Sequence, residues 1–346
     1  MKRRILSIIL AVSLIFSFAT VTSVSASAQE YGDFEYTVLD NGTVEITRYR
    51  GVDDVLEIPS KIDGKSVTSI GDYAFEGCDS LTSVTIPDSV TTIGYWAFTE
   101  CRSLASVTLP DSVTTIGDYA FYGCESLTSV TIPGSVTTIG YWAFTSCNLL
   151  TNVTISDGVT TIGTYAFADC GSLTSVTIPD SVTTIDDRAF FYCKSLTSVT
   201  IGNSVTAIGD WAFWNCDSLA NVTIPDSVTS IGDEAFGYCY DDDWNTIKTP
   251  NFHIYCYKDT AAEQYATDNG FDYELIGGDI IRGDLNSDGK INLLDLIAMR
   301  KHLAKWSVEI DMDAADCNAD GKVNLLDLIL MRKYLAKWDV VLVPQK

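Results

Sequence analysis

Oxygen-bearing side chains recur at fixed spacing in one C-terminal stretch of the chain. In residues 284–295 they stand at positions 1, 3, 5, 9 and 12, and glycine stands at position 6. Calcium takes roughly six to eight oxygen ligands, and a loop of this pattern supplies them, with the backbone carbonyl of position 7 among them. Glycine suits the sharp bend at position 6 because it lacks a Cβ atom. The stretch therefore predicts a calcium loop with ligands from Asp284, Asn286, Asp288, Lys290, Asn292 and Asp295.

A second copy of this loop follows 32 residues later. Residues 284–306 and 316–338 differ only at positions 285, 287, 291, 298 and 302, and each loop is followed by an apolar pattern of helical period. One such loop is often just a solvated turn, but two complete copies predict two structural Ca²⁺ ions. The second set of ligands is Asp316, Asn318, Asp320, Lys322, Asn324 and Asp327.

Both loops fit the EF-hand pattern except that position 12 is Asp and not Glu. Paired loops that end in Asp, each followed by one helix, with Gly277-Gly278 where a preceding helix would lie, resemble a type I dockerin over about residues 280–343. The resemblance implies a small α-helical module that docks a secreted protein onto a cohesin module of a scaffoldin, as in cellulosomes. Leu-Leu stands here where many relatives carry Ser-Thr. The implied cohesin contacts are Leu293, Leu294, Arg300, Lys301 and Lys305, and Leu325, Leu326, Arg332, Lys333 and Lys337.

Upstream, the chain repeats itself every 23 residues. An Ile-Gly pair marks each unit, and Asp186 replaces the glycine once. So regular a period predicts units of one conformation that stack on one another, because a single unit cannot bury its own apolar face. Within one unit, Leu81, Val84 and Ile86 alternate inward on a short strand, and Ser83 and Thr85 alternate outward.

After this strand, Val90 and Ile93 are expected to point inward again, Gly94 to allow a bend, and Ala97-Phe98 to form a short helical turn. The pattern resembles BspA-like leucine-rich repeats of bacterial surface proteins over about residues 66–240. The resemblance implies a leucine-rich repeat solenoid of short parallel β-strands with helical turns. The exposed ladder on its sheet is predicted to be Thr85, Thr108, Thr131, Thr154, Thr177, Thr200 and Thr223.

Capping segments are predicted at both ends of the array. Alternating residues around Asn41-Gly42 indicate a β-hairpin, and the strand–helix–strand pattern of 252–276 resembles the C-terminal cap of other BspA-like arrays. The predicted division is a signal peptide at 1–28, a β cap at 29–65, repeats at 66–240, a cap at 241–276, a linker at 277–283 and the dockerin at 284–346.

The N-terminal stretch has the pattern of a secretory signal peptide. Three cationic residues precede an apolar run from Ile5 to Ala19, and Ala26-Ser27-Ala28 suits cleavage. The alternative is a membrane anchor, but the apolar run is short and no later stretch is apolar enough to span a bilayer. We therefore expect a secreted protein, held at the cell surface through a scaffoldin. The net charge of −24 argues against nucleic acid or an anionic membrane as partner.

Eight of the ten cysteines follow the repeat period, from Cys78 to Cys239. One cysteine at the same point of every turn predicts a column of buried free thiols, although neighbouring turns are close enough for a bridge. A metal site is not indicated, because no second cysteine or histidine lies at ligand spacing. The sequence does not explain Cys256 and Cys317.

An aromatic residue recurs two positions after the repeat glycine. Arg188 and Glu234 interrupt this column, which indicates that it is exposed, since neither is readily buried. Exposed rings stack on sugars or anchor a protein partner, but they also pack on each other and bind nothing. The candidate stripe consists of Tyr73, Trp96, Tyr119, Trp142, Tyr165 and Trp211.

Residues for catalysis are scarce. Neither His253 nor His302 has a nucleophile pattern beside it, and a solenoid of identical units offers no unique pocket for a pair of catalytic carboxylates. We interpret the chain as a secreted noncatalytic binding or adhesion protein that docks onto a scaffoldin through calcium and cohesin, with repeats that bind a protein or a polysaccharide. The alternatives are a structural spacer and an unrecognised polysaccharide-degrading enzyme.

Overall fold

The structure is a computed structural model that describes residues 28–241, 243–276, 282–286, 290–308, 310–318, 320–337 and 342. The predicted signal peptide (apart from Ala28), the Gly277-Gly278 hinge and the ligand Asp288 lie outside the described residues. Among the described residues, no helix is long and apolar enough to cross a membrane.

Short strands make up the N-terminal cap and the repeats. The cap holds β1 (Gln29–Tyr31), β2 (Phe34–Val38), β3 (Val44–Tyr49), β4 (Val55–Glu57), β5 (Lys61–Ile62) and β6 (Lys65–Ile70). The repeats hold β7 (Ser83–Thr85), β8 (Thr92–Ile93), β9 (Ser106–Thr108), β10 (Thr115–Ile116), β11 (Ser129–Ile132), β12 (Thr138–Ile139), β13 (Asn152–Ile155), β14 (Thr161–Ile162), β15 (Ser175–Thr177), β16 (Thr184–Ile185), β17 (Ser198–Thr200), β18 (Ala207–Ile208), β19 (Asn221–Thr223) and β20 (Ser230–Ile231).

The remaining elements close the array and form the C-terminal module. They are β21 (Tyr238–Tyr240), β22 (Thr246–Lys248), β23 (His253–Cys256), α1 (Ala261–Asn269) and β24 (Asp272–Leu275), followed by α2 (Leu293–Leu303), α3 (Met312–Ala315) and α4 (Leu325–Leu335). The solenoid expected from the 23-residue period is therefore confirmed.

Each repeat contributes two strands, so the solenoid has two parallel sheets where the sequence predicted one. The Ser-Val-Thr strands form the sheet β17-β15-β13-β11-β9-β7-β4, and the Thr-Ile strands continue the cap strand β6 through β8 to β20. Register is exact to the period, as Val84 pairs with Val107 and Ile93 with Ile116. The predicted threonine ladder is exposed along the first of these sheets from Thr85 to Thr200, and Thr223 is exposed on β19, which pairs with β23.

The third side of each repeat is a chain of hydrogen-bonded turns. Here the Phe75 N–H donates to the Ala97 carbonyl at 2.7 Å, and the Phe98 N–H donates to that of Ala120 at 2.7 Å. This side therefore continues the backbone ladder from unit to unit. Glycine suits the bend in most units, because a Cβ on Gly117 would lie 2.7 Å from the carbonyl carbon of Gly94 in the preceding unit, although Asp186 stands at this position in one unit.

Two columns of side chains fill the centre of the solenoid. The phenylalanines from Phe75 to Phe236 stack with centroids 4.7 to 5.4 Å apart. The cysteines run beside them, and from Cys101 to Cys216 each Sγ donates to a phenylalanine carbonyl at 3.0 to 3.4 Å. The predicted buried column is confirmed, except that Cys78 at its end is only partly buried. Burial raises the pKa of the thiols in this column from Cys124 to Cys216.

Both caps follow the sequence expectations. Strands β2 and β3 pair antiparallel around Asn41-Gly42, and β3 joins the array by pairing with β6. At the other end, β23 and β24 extend the sheet of β19, and Thr260 caps α1. Cys256 is a fully buried member of this core. The sequence did not predict the antiparallel hairpin of β21 and β22, which follows the last repeat.

We expect Phe144→Ala to lower the stability of the array by about 3–5 kcal/mol, because the lost ring leaves a cavity between two stacked neighbours. Guanidinium unfolding followed by circular dichroism measures the change. Val52→Ala is the control, since Val52 is 84% exposed, and its effect should stay within about 0.5 kcal/mol. Equal unfolding midpoints for both variants would show that the phenylalanine column does not carry the stability.

Candidate functional site

The C-terminal module has a small hydrophobic core of its own. Met299 from α2 and Met331 from α4 are fully buried in it, together with Leu285 and Cys317. Cys317, which the sequence did not explain, is therefore a core residue of this module. Burial raises the pKa of its thiol to about 12. Backbone hydrogen bonds join the two copies, because the Gly283 N–H donates to the Ala314 carbonyl at 2.8 Å and the Asp311 N–H donates to that of Leu285 at 3.2 Å.

Loop positions 9 and 12 also start the helix that follows. Asn292 is the N-cap of α2 and accepts from the Leu294 N–H at 2.8 Å, while Asp295 accepts from the Asn292 N–H at 2.8 Å. The same capping box begins α4 with Asn324 and Asp327. The sequence analysis treated these residues only as metal ligands, although the Asn-x-x-Asp spacing also fits a capping box. The helix start and the loop therefore share their side chains.

The second loop is folded by its own acidic side chains. The two carboxylate oxygens of Asp316 accept from the N–H groups of Asp320, at 3.1 Å, and Gly321, at 2.8 Å. Asn318 accepts from the same Asp320 N–H at 3.1 Å. These bonds hold positions 1 and 3 on the inner side of the turn, where calcium ligands of such a loop are needed.

One buried carboxylate oxygen in the C-terminal module has no partner among the described residues. Asp327 is completely buried, one of its oxygens accepts from the Asn324 N–H at 2.9 Å, and Oδ1 has none. A buried carboxylate oxygen without a partner is costly, so an additional group is expected there. A cation satisfies that oxygen, and the oxygen-only donor set of the loop suits calcium. The residues present therefore fit the ion that the sequence predicted.

The acidic side chains of the described residues do not by themselves form a metal cluster. No group of three or more His, Cys, Asp and Glu side chains in the described parts of the chain is arranged to hold a metal ion. In the first loop, Asp295 Oδ1 accepts from the N–H groups of Leu285 and Asn286, at 2.9 and 3.3 Å. The carboxylates are thus engaged by backbone donors, and calcium binding stays a prediction.

Arg282 is a functional candidate that the sequence analysis missed. It is 8% exposed, and it donates to the carbonyls of Asp313, at 3.0 Å, and Asp316. Its guanidinium also lies 4.0 Å from the Asp316 carboxylate. A residue just before the first loop therefore contacts Asp316, the first predicted ligand of the second loop. No motif in the sequence indicates this contact, since Arg282 is simply an arginine two residues before the first loop.

The predicted cohesin contacts lie on two exposed helix faces. Leu293 and Leu294 are 65% and 62% exposed, and Leu325 and Leu326 are 63% and 48% exposed. All the basic residues of the prediction are exposed except Lys333, which is partly buried. Such leucines have no role in the core of the module, so their exposure fits an interaction surface.

Each face continues into a groove. A cavity of about 270 Å³ is lined by Ile297, Arg300, Lys301, Ala304 and Trp306. The equivalent cavity of about 240 Å³ is lined by Ile329, Arg332, Lys333 and Ala336. Ile297 and Trp306 are 39% and 66% exposed, and the sequence analysis did not include them. Ile297 could have been predicted from the sequence, because it follows Leu293 and Leu294 by one helical turn and so lies on the same face.

The aromatic column is less exposed than expected. Among its rings only Tyr73 is exposed; the others are partly buried. Trp96 stacks on Tyr119 with centroids 4.3 Å apart and planes at 9°, and Trp142 stacks on Tyr165 at 4.2 Å. The stacking uses the ring faces that a sugar would need.

The two charged residues of the column join the same stack. The Arg188 guanidinium lies 4.0 Å from the centroid of Trp211, and Glu234 accepts from the Trp211 indole N–H at 3.1 Å. Each charge is therefore paired within the flank, which explains how the column holds Arg and Glu without full exposure. This geometry favours the alternative in which the rings support the solenoid.

We expect Arg282→Met to weaken calcium binding at the second loop about tenfold, because a residue that orients a ligand typically contributes that much. Isothermal titration with calcium measures both sites. Arg300→Met is the matched control, since Arg300 is exposed on the helix face, and it should leave both affinities unchanged. Identical titrations for the two variants would contradict the positioning role of Arg282.

Comparison with known proteins agrees with these two modules. Residues 57–173 and 160–261 match the model of the BspA type leucine-rich repeat region in six copies, and residues 282–336 match the dockerin type I domain. Among proteins of curated function, none matches the chain in sequence.

Solved leucine-rich repeat structures are similar to the array. The leucine-rich repeat protein of T. pallidum is 35% identical over 56% of this chain and 90% of its own, with a TM-score of 0.52. A leucine-rich repeat protein from Bacteroides ovatus is 28% identical over 71% of this chain and 66% of its own, with a TM-score of 0.50. The repeat model spans more than half of the chain, so this protein belongs to the BspA-type leucine-rich repeat family and carries a type I dockerin domain after its repeats.

Proposed function

We propose that this protein is a secreted, noncatalytic binding component that docks onto the cohesin module of a scaffoldin and presents its repeats to a ligand. The observation that carries the proposal is the pair of exposed, nearly identical faces on α2 and α4, within a region that matches a dockerin. Both matched modules are noncatalytic, which supports the noncatalytic part. The pattern of residues 1–28 supports secretion.

Two calcium ions complete the docking module in this proposal. The ligands are the two predicted sets of loop residues, and the unpartnered oxygen of Asp327 supports the second set. When bound, calcium neutralises the carboxylates of each loop and fixes their positions. Because Asp295 and Asp327 also cap α2 and α4, order in the loop is transmitted directly to the start of the docking helix.

We expect calcium removal to unfold α2 and α4, since repulsion among the loop carboxylates is then uncompensated. Circular dichroism of the full chain in excess EGTA should lose most of its helical signal and keep its β signal, as these are the longest described helices and the array is built of strands. Added calcium should restore the helical signal. An unchanged helical signal in EGTA would show that the hydrophobic core alone holds the module together.

The chemistry of the faces indicates an acidic partner with an apolar centre. Exposed leucines supply area to bury at the centre of an interface, at about 25 cal/mol per Å² of apolar surface. Arg300 and Lys301, with Arg332 and Lys333 on the second face, lie one to two turns further along the helices. Their positive charge steers an acidic cohesin surface toward the leucines.

We propose that either face engages cohesin, in orientations related by about a half-turn. Leu293→Ala with Leu294→Ala should then reduce affinity no more than about twofold, because the second face remains. The pair Leu325→Ala and Leu326→Ala should behave alike, and the quadruple variant should lose about a hundredfold or more. Surface plasmon resonance on an immobilised type I cohesin in calcium measures all three.

A large loss in one double variant would instead assign docking to that face alone. Binding of the quadruple variant at full strength would exclude the leucines from the interface. Val52→Ala, a change at an exposed residue of the N-terminal cap, is the control and should bind cohesin like the unchanged protein.

For the repeats we propose a ligand that is a protein or a polysaccharide, with a structural spacer as the alternative. The stripe from Tyr73 to Trp211 would contact such a ligand through ring edges, because neighbouring rings occupy most of its faces. An open ring face on the array would therefore mark a better binding surface, and one exists where the repeats end.

A further inference from the structure

A unique cavity lies where the last repeats meet the β21–β22 hairpin. Its volume is about 330 Å³, at the lower end of small-molecule sites. The repeats line it with Tyr192, Lys194, Asn215 and Asp217, and the hairpin adds Tyr240, Asp241 and Trp244. The hairpin interrupts the period, so residues without copies in the other turns complete the lining of this cavity.

Trp244 gives the cavity an open aromatic face. It is 72% exposed, the most exposed tryptophan of the described chain. Its turn is braced by Asp241, whose Oδ1 accepts from the N–H groups of Asp243, at 2.9 Å, and Asn245, at 2.8 Å. The Asn245 bonds lower the pKa of Asp241, so the carboxylate and the brace persist near neutral pH. The indole is thus exposed between two residues, Asp243 and Asn245, that are hydrogen-bonded to Asp241.

Two further aromatic rings lie next to this indole. The Tyr240 ring centroid lies 5.4 Å from that of Trp244, and Tyr240 meets buried Trp214 edge-on at 4.2 Å. The outer face of Trp244 has no comparable ring neighbour among the described residues. It differs in this respect from the stripe, whose rings stack on one another in series. Trp244 is therefore positioned to receive an apolar ring face from a ligand.

Polar groups converge on the other side of the cavity. Asn215 is 2% exposed and its Oδ1 accepts from the Tyr240 N–H at 2.9 Å, while no described residue accepts from its Nδ2. The ammonium of Lys194 lies 4.7 Å from the Tyr192 ring centroid. Burial raises the pKa of Asp217, and Lys194 opposes that effect. An amide donor, an ammonium and two carboxylates thus surround one open ring.

We propose that this cavity binds a neutral sugar unit of a polysaccharide. A pyranose ring has an apolar C–H face for Trp244 and hydroxyl groups that both donate to Asp217 and accept from Asn215 and Lys194. Two carboxylates against one ammonium, on a chain of net charge −24, disfavour uronates and phosphates. This inference rests on the binding role proposed for the repeats and names the class of their ligand.

A protein partner fits the cavity less well. A stable protein interface covers about 800 Å² on each side, whereas this concave site is a small cavity with a polar lining. Its shape and its mixture of one open ring with several hydrogen-bonding groups are typical of sites for small polar ligands. The same features argue for a sugar unit over a side chain of a folded partner.

Isothermal titration of the full chain in calcium with cellohexaose, xylohexaose and mannohexaose tests the proposal, with trigalacturonate as the charged comparison. We expect one neutral oligosaccharide at least to bind, and trigalacturonate to bind at least about tenfold more weakly. Trp244→Ala should reduce the affinity about tenfold or more, and Asp217→Asn about threefold to tenfold. Tyr31→Ala, an exposed aromatic change on β1, should have no effect.

Three results would overturn the assignment: no binding of any neutral oligosaccharide at millimolar concentration, a preference for trigalacturonate, or unchanged affinity in Trp244→Ala. Cohesin binding is measured on the same samples. If the protein binds cohesin and no sugar, the cavity assignment fails and docking stands. If it binds sugar through Trp244 and no cohesin, docking fails and the cavity stands.

Discussion

Register between successive turns is the constraint on which the repeat array depends. Every unit presents its backbone N–H and C=O groups to its neighbours on all three sides, through two parallel sheets and the chain of turns. No turn satisfies these groups alone, and a change of one residue in the period would misplace the phenylalanine, cysteine and glycine columns together. The caps follow from the same constraint, because β3 and β23 cover the open edges that would otherwise remain at the two ends.

In the C-terminal module, by contrast, single side chains serve two purposes. Asp295 and Asp327 each occupy both the last predicted ligand position of a loop and the third residue of a helix. A shorter carboxylate at this position suits the capping box, since it accepts from the N–H of the N-cap residue at 2.8 and 2.9 Å. In the calcium-bound module that we propose, calcium affinity and helix stability would therefore be linked through these two aspartates.

The sequence predicted the periodic units and the main elements of both caps, and it missed the hairpin that interrupts the period after the last repeat. Inward positions such as Val84 and Phe98, the Asn41-Gly42 hairpin and the α1 cap all follow from local patterns, and the structure confirms them. The β21–β22 hairpin and its cavity depend on residues far apart in sequence, such as Asn215 and Trp244, and no spacing rule joins these. The aromatic column was predicted to be exposed because Arg188 is charged. Arg188 lies between the rings of Tyr165 and Trp211, so a charged residue did not indicate an exposed position here.

The differences between the two docking copies bear on what their duplication is for. Leu285 and Ala298 in one copy correspond to Cys317 and Leu330 in the other, and all four lie in the shared core, where a larger residue in one place is balanced by a smaller one elsewhere. The exposed leucines and the basic pairs are identical in both copies. On the exposed helix faces the described copies differ at His302 and Tyr334 alone. A hydrophobic core tolerates exchanges between larger and smaller apolar residues when its total volume is kept. Two faces that present the same side chains can each fit the same partner, and this identity supports our proposal of two alternative cohesin sites.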